Sequence, residues 1–350
     1  MAHTWSEIQP AGNEDKSWYT SSMSSDGSKI LAGVNRGRLY FSTNSGTSWS
    51  EVQPAGDADR NWRISSMSSD GSKILAGVYG GRLYLSTNSG TSWSETQPAG
   101  DANKNWQTIS MSSDGSIIVA GVYSGRLYLS TNSGTSWSEV QPAGALNRFW
   151  RTSSMSSDGS IILAGGNSAT NGRLYLSTNS GTTWSEVQPA GDANKNWYTS
   201  SMSSDGSIIL AGVYSVTNGR LYLSTNSGTS WTEIQPAGDA NKYWYSSSMS
   251  SDGSVIVAGV QYSRLYLSTN SGTSWSEVQP AGDADNSWQT SSMSSDGSII
   301  LAGVANGRLY LGTEEIPPDY TLTCAAGSYS LTGTNVTLTA TVKQNLTLAC

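Results

Sequence analysis

The feature that most constrains this chain is the placement of its 14 tryptophans. One series follows a T-S-W pattern: Trp5, Trp49, Trp93, Trp137, Trp184, Trp231 and Trp275. The second is Trp18, Trp62, Trp106, Trp150, Trp197, Trp244 and Trp288. Both step by 44, 44, 44, 47, 47 and 44 residues, so the chain holds seven copies of one unit. The two longer steps come from three-residue insertions at the same point of the repeat, in GNSATNG (166–172) and YSVTNG (214–219), which marks that point as a surface loop.

Within one copy, residues 18–53 read WYTSSM, the turn SSDGS, KILAGV, a short variable loop, RLYFST, the turn NSGTSW and SEVQ. Asp26-Gly27 is a tight-hairpin signal, because glycine supplies the positive φ such turns need. KILAGV and its copies are almost wholly apolar, as a strand covered on both faces should be. RLYLST and SEVQ alternate, as half-buried strands do. Four short antiparallel strands repeated seven times predict an all-β fold, a seven-bladed β-propeller. The chain starts with HTWSEIQP, a fourth strand without its first three. Its last repeat stops at RLYLGTEE, a third strand without its fourth. The N-terminal strand is therefore expected to complete blade seven and remove two exposed edges. The blades fall at about 11–54, 55–98, 99–142, 143–189, 190–236, 237–280, and 281–313 plus 3–10, within a propeller domain of 1–315. After Pro317-Pro318, residues 316–350 form a Thr-rich C-terminal β segment carrying both cysteines, Cys324 and Cys350.

The turn from Ser42 to Trp49, S-T-N-S-G-T-S-W, resembles the Asp-box of BNR repeats, S-x-D-x-G-x-x-W. Six full copies occur, with asparagine in the acidic place: Asn44, Gly46 and Trp49, then Asn88, Gly90 and Trp93, and so on. The resemblance covers residues 3–313 and implies a sialidase-like propeller in which these residues are structural turns. It implies no one function, since such turns occur in glycosidases, assembly factors and lectin-like propellers alike.

Catalysis in the sialidases needs an asymmetric set of groups drawn from different blades. Here Glu51 and Asp26 recur in every blade, and His3 is the only histidine. The expectation is a non-enzymatic chain with no cofactor and no metal site. Sialidase-like glycoside hydrolysis is the least favoured alternative. One sevenfold feature has a chemical reading. Arg38, Arg82, Arg126, Arg173, Arg220, Arg264 and Arg308 open the third strands. They form either an anion-binding ring or ion pairs with the Glu51-type residue of the same blade.

Chain order puts the SSDGS and Asp-box turns on one face and the other connections on the opposite face. The first face repeats almost without change; the second varies. The variable face carries Tyr79, Tyr123, Tyr214 and Tyr262 beside amides and charges. The edges of Trp18, Trp62, Trp106, Trp150, Trp197, Trp244 and Trp288 are further candidates, unless they pack between blades. Aromatics with amide neighbours suit glycan binding or a protein partner. The Ser-rich first strands predict a polar central channel. The alternative is a virion or cell-surface structural protein that docks or self-associates through residues 316–350. The net charge of −7 and pI near 4.7 disfavour nucleic acid. No apolar run is long enough to span a membrane, and the N-terminus lacks a signal-peptide pattern. These leave a cytoplasmic or a virion- or surface-associated location open.

Overall fold

In the computed structural model, which describes residues 3–168 and 172–315, each repeat folds into one four-stranded antiparallel blade. Blade one is Trp18–Met23, Ile30–Gly37, Leu39–Ser42 and Ser50–Val52. The other complete repeats follow the same order, and no helix occurs among the described residues. Blade seven takes its outer strand from the start of the chain. His3–Ile8 pairs antiparallel with Leu309–Glu314, from His3 opposite Glu314 to Ile8 opposite Leu309. The described residues belong to one compact unit. The expected C-terminal β segment and its two cysteines lie outside the described residues.

The blades pack through one repeated contact. Trp62 of blade two is 2% exposed and lies in a cluster with Leu31, Leu39 and Phe41 of blade one. Its ring meets Tyr84 edge-on at 5.8 Å. The invariant glycine of the AGV motif makes room for it. A Cβ on Gly33 would stand 3.1 Å from the Trp62 Cβ, 2.6 Å from Thr20 Cγ2 and 2.8 Å from Leu39 Cδ2. The same packing joins Trp18 to Leu301, Leu309 and Leu311, so blade one closes on blade seven.

The innermost strands neighbour one another around the whole circle. Just past them, on the repeating face, the backbone closes a ring. Ser25 N–H donates to Ser69 O, Ser69 to Ser113, and so on through Ser157, Ser204, Ser251 and Ser295, which returns to Ser25 O. All seven bonds measure 2.7–2.8 Å. Each aspartate of the SSDGS turns is held from both sides. Asp70 Oδ1 accepts from Ser68 Oγ (2.7 Å), Ser72 Oγ (2.8 Å) and Ser72 N–H (2.9 Å).

The Asp-box turns are structural in their geometry. Asn44 Oδ1 accepts from Ser48 N–H at 2.9 Å, and Asn44 Nδ2 donates to Ser48 Oγ at 2.8 Å. Trp49 Nε1 donates to Gly46 O at 3.0 Å, and Gly46 has φ near 81°. Asparagine therefore keeps the acceptor of an aspartate and adds a donor. Asn88, Gly90 and Trp93 repeat the arrangement.

Candidate functional site

The first strand of every blade carries a register shift just after its tryptophan, for example between Trp62 and Ile64 and between Trp150 and Thr152. A bulge of this kind re-aims one side chain. The residues so placed are Tyr19, Arg63, Gln107, Arg151, Tyr198, Tyr245 and Gln289. Flanking positions repeat almost unchanged, yet these seven do not. They bring a sevenfold scaffold to an asymmetric centre.

Arg63 of blade two reaches across to blade six, where Nη2 donates to the Tyr245 hydroxyl at 3.1 Å. Its Cζ lies 4.4 Å from the centroid of the Tyr19 ring. Arg151, 9% exposed, lies 3.6 Å over Tyr198 and 5.3 Å from Tyr245. Gln107 stands between the two arginines. With its amide turned so that the oxygen faces them, it accepts from Arg63 Nε at 2.8 Å and also from Arg151. Among the described residues neither guanidinium has a carboxylate within salt-bridge distance. Burial pulls the pKa of Arg151 below the ordinary arginine value and pushes that of the Tyr198 phenol up. Burial also pushes Tyr245 up, but Arg151 and Arg63 outweigh it and bring its hydroxyl below the usual phenol range.

Above these groups opens a cavity of about 410 Å³ on the variable face. Asn35, Asn61, Asn167, Tyr79 and Tyr123 line it with Arg36, Arg63, Gln107, Arg151 and Tyr198, and no aspartate or glutamate does. Two of the four tyrosines expected on this face thus line the cavity. Tyr214 packs behind its wall, 4.7 Å from Tyr198 and 4.5 Å from Tyr243, and donates its hydroxyl to Gln261. Tyr262 is 69% exposed and stands outside it. Tyr198, Arg63, Gln107 and Arg151 are the functional candidates that the loops alone do not reveal.

For two candidate sets the structure takes the packing or pairing reading and sets the ligand reading aside. The tryptophans Trp18, Trp62, Trp106, Trp150, Trp197, Trp244 and Trp288 are each 2% exposed and belong to the core; six of them stand against the neighbouring blade's glycine, and Trp106 packs on Leu75 and Leu83 of the blade before it. The ring of Arg38, Arg82, Arg126, Arg173, Arg220, Arg264 and Arg308 is paired. Each lies 3.4–3.7 Å from the glutamate opposite its own blade's tyrosine, such as Glu51 opposite Tyr40. Six of them also meet an aspartate from the following connection. The charge an anion would need is already answered.

The channel expected from the Ser-rich first strands carries larger side chains as well. Seven methionines, from Met23 to Met293, line its opening on the repeating face together with serines such as Ser25 and Ser69. Among the described residues no group of three or more His, Cys, Asp or Glu stands together to hold a metal.

These blades, turns and closure define a seven-bladed β-propeller of the BNR, or Asp-box, type. Residues 172–309 match the Sortilin-Vps10 family model (sortilin, neurotensin receptor 3). Among solved structures, the chain is similar to "YCF48 bound to D1 peptide", with TM-score 0.67 and 11% identity over 89% of this chain and 95% of that one. It is also similar to YCF48 from Cyanidioschyzon merolae, with TM-score 0.66 and 12% identity over 88% and 98%. The GH74 xyloglucanase from Xanthomonas campestris aligns with TM-score 0.68 and 14% identity, over 89% of this chain and 53% of that one. No curated protein sequence matches. At such identities the likeness is one of fold.

Proposed function

We propose that this chain is a non-catalytic recognition propeller that binds a polypeptide partner through its variable face. One observation carries the reading. Among the described residues, the large hydrophobic side chains that stand exposed are Leu146 (64%), Val216 (61%) and Tyr262 (69%), and all three lie on connections of that face. Exposed apolar residues on the face that carries the cavity suit a protein surface better than a sugar, which offers hydroxyls and few apolar groups. A propeller of similar fold, YCF48, has been solved bound to a D1 peptide, which supports the reading. The cavity lacks the pair of carboxylates on which glycoside hydrolysis runs.

The experiment is a parallel screen of the immobilised protein against a random peptide display library and a glycan array. Peptide binders are expected, and the combined variant Leu146→Asp, Val216→Asp, Tyr262→Asp should weaken them about tenfold or more. Glycan binders alone, or peptide binders indifferent to that variant, contradict the reading.

A further inference from the structure

We propose that Arg63, Gln107 and Arg151 form an oxyanion site for a carboxylate carried by the partner. The inference rests on the polypeptide reading and names the group that enters the cavity. Its basis is an imbalance of charge. The arginines of the outer ring each meet a glutamate, whereas the two at the centre meet only rings, a hydroxyl and an amide. Buried charges are normally paired, because leaving water is costly and a counter-charge recovers more of that cost than rings or neutral hydrogen-bond partners do. Arg151 Nε is buried and makes no hydrogen bond at all.

Nothing in the packing demands arginine here. The same bulge holds tyrosine or glutamine in the other five blades, and the blades are otherwise alike. Two guanidiniums present planar pairs of donors, which match the two oxygens of a carboxylate. The cavity of about 410 Å³ above them admits the end of a peptide or one long side chain, and the Asn35, Asn61 and Asn167 amides stand at its walls to meet main-chain groups.

The test is thermal melting at fixed ionic strength with three probes: N-acetylglycinate, N-acetylglutamate α-amide and inorganic phosphate. The first carries a terminal carboxylate and the second a side-chain one, so the larger response names the source. A carboxylate probe at about a hundred times its Kd should raise the melting temperature by about 5 °C. N-acetylglycinamide should leave it unchanged. Without ligand, Arg151→Met should melt roughly 2–5 °C above the wild type, since it removes an unpaired buried charge, and should lose the response. Arg63→Gln, a milder change, should lose the response with little change in baseline.

A wild type indifferent to both carboxylates, variants that respond as the wild type does, or a larger shift with phosphate would overturn the carboxylate site. Peptide binders from the screen should weaken in both arginine variants, and unchanged binding there overturns it as well. A carboxylate response with no peptide captured removes the polypeptide reading and leaves the site standing.

Discussion

Removing residues 3–8 lowers the melting temperature by roughly 10 °C or more and promotes association. The strand His3–Ile8 is the outer strand of blade seven, and no other segment of the described chain is left over to replace it. Its loss breaks a six-residue ladder with Leu309–Glu314. It also uncovers two clusters at once, because Trp5 packs on the blade-seven core and Ile8 on the core between blades seven and one. Trp5 and Ile8 are half-buried, so each contributes about 1 kcal/mol, and the ladder adds about 1 kcal/mol net for each hydrogen bond. A loss of about 5 kcal/mol in a domain of this size corresponds to roughly 10 °C. The exposed edge of Leu309–Glu314 is then free to pair with another molecule. Calorimetry and size-exclusion chromatography of the truncated chain check both parts. An unchanged melting temperature with a clean monomer contradicts the closure.

Acid is the second large lever, because the repeat multiplies it. The turn aspartates Asp26, Asp70, Asp114, Asp158, Asp205, Asp252 and Asp296 all have lowered pKa values. The Ser68 hydroxyl, helped by the Ser72 N–H and hydroxyl, holds Asp70 at about 2 against an ordinary 3.8. The Ser116 N–H, with the Ser112 and Ser116 hydroxyls, does the same for Asp114. Burial pushes Asp296 up, but its bonds to Ser294 and Ser298 outweigh that. A carboxyl with a depressed folded pKa stabilises the fold above its unfolded pKa. That stability is lost as pH falls through the folded value. The melting temperature should therefore hold above about pH 5 and fall steeply from about pH 4 towards pH 2, with up to seven protons taken up on unfolding. These groups are largely exposed, so each contributes modestly and the steepness comes from their number. Asp70→Asn with Asp114→Asn should make the acid limb shallower. A melting temperature flat down to pH 2 contradicts this account of the turns.

The blade count, the closing strand and the structural part of each turn were legible because they obey periodicities. Tryptophan spacing reports the repeat, and the apolar AGV run reports a strand covered on both faces. The Glu51–Arg38 pair follows from alternation once Tyr40 is placed opposite Glu51. The central site was not legible in the same way. Arg63 and Arg151 sit inside a strand pattern, where alternation reports faces and not a bulge that turns one residue towards the axis. The signal is nevertheless present: Tyr19, Arg63, Gln107, Arg151, Tyr198, Tyr245 and Gln289 differ where their neighbours repeat. The same reasoning that marks the variable loops as recognition surface marks them too. The tryptophans carried two readings, of which the structure takes core packing. A large aromatic beside a variable loop suggests a ligand platform, but the small residue it needs for burial, Gly33 or its copies, lies in the preceding blade.

The central claim is that recognition runs through the variable face and its axial cavity. Hydrogen–deuterium exchange with and without a peptide from the display screen tests it most directly. Protection is expected at 35–37, 60–63, 79–81, 105–107, 123–125 and 148–151, the backbone around the cavity mouth and its bulges. Protection centred on the Asp-box turns, such as 44–49 and 88–93, with no change around Arg63 and Arg151, would contradict it.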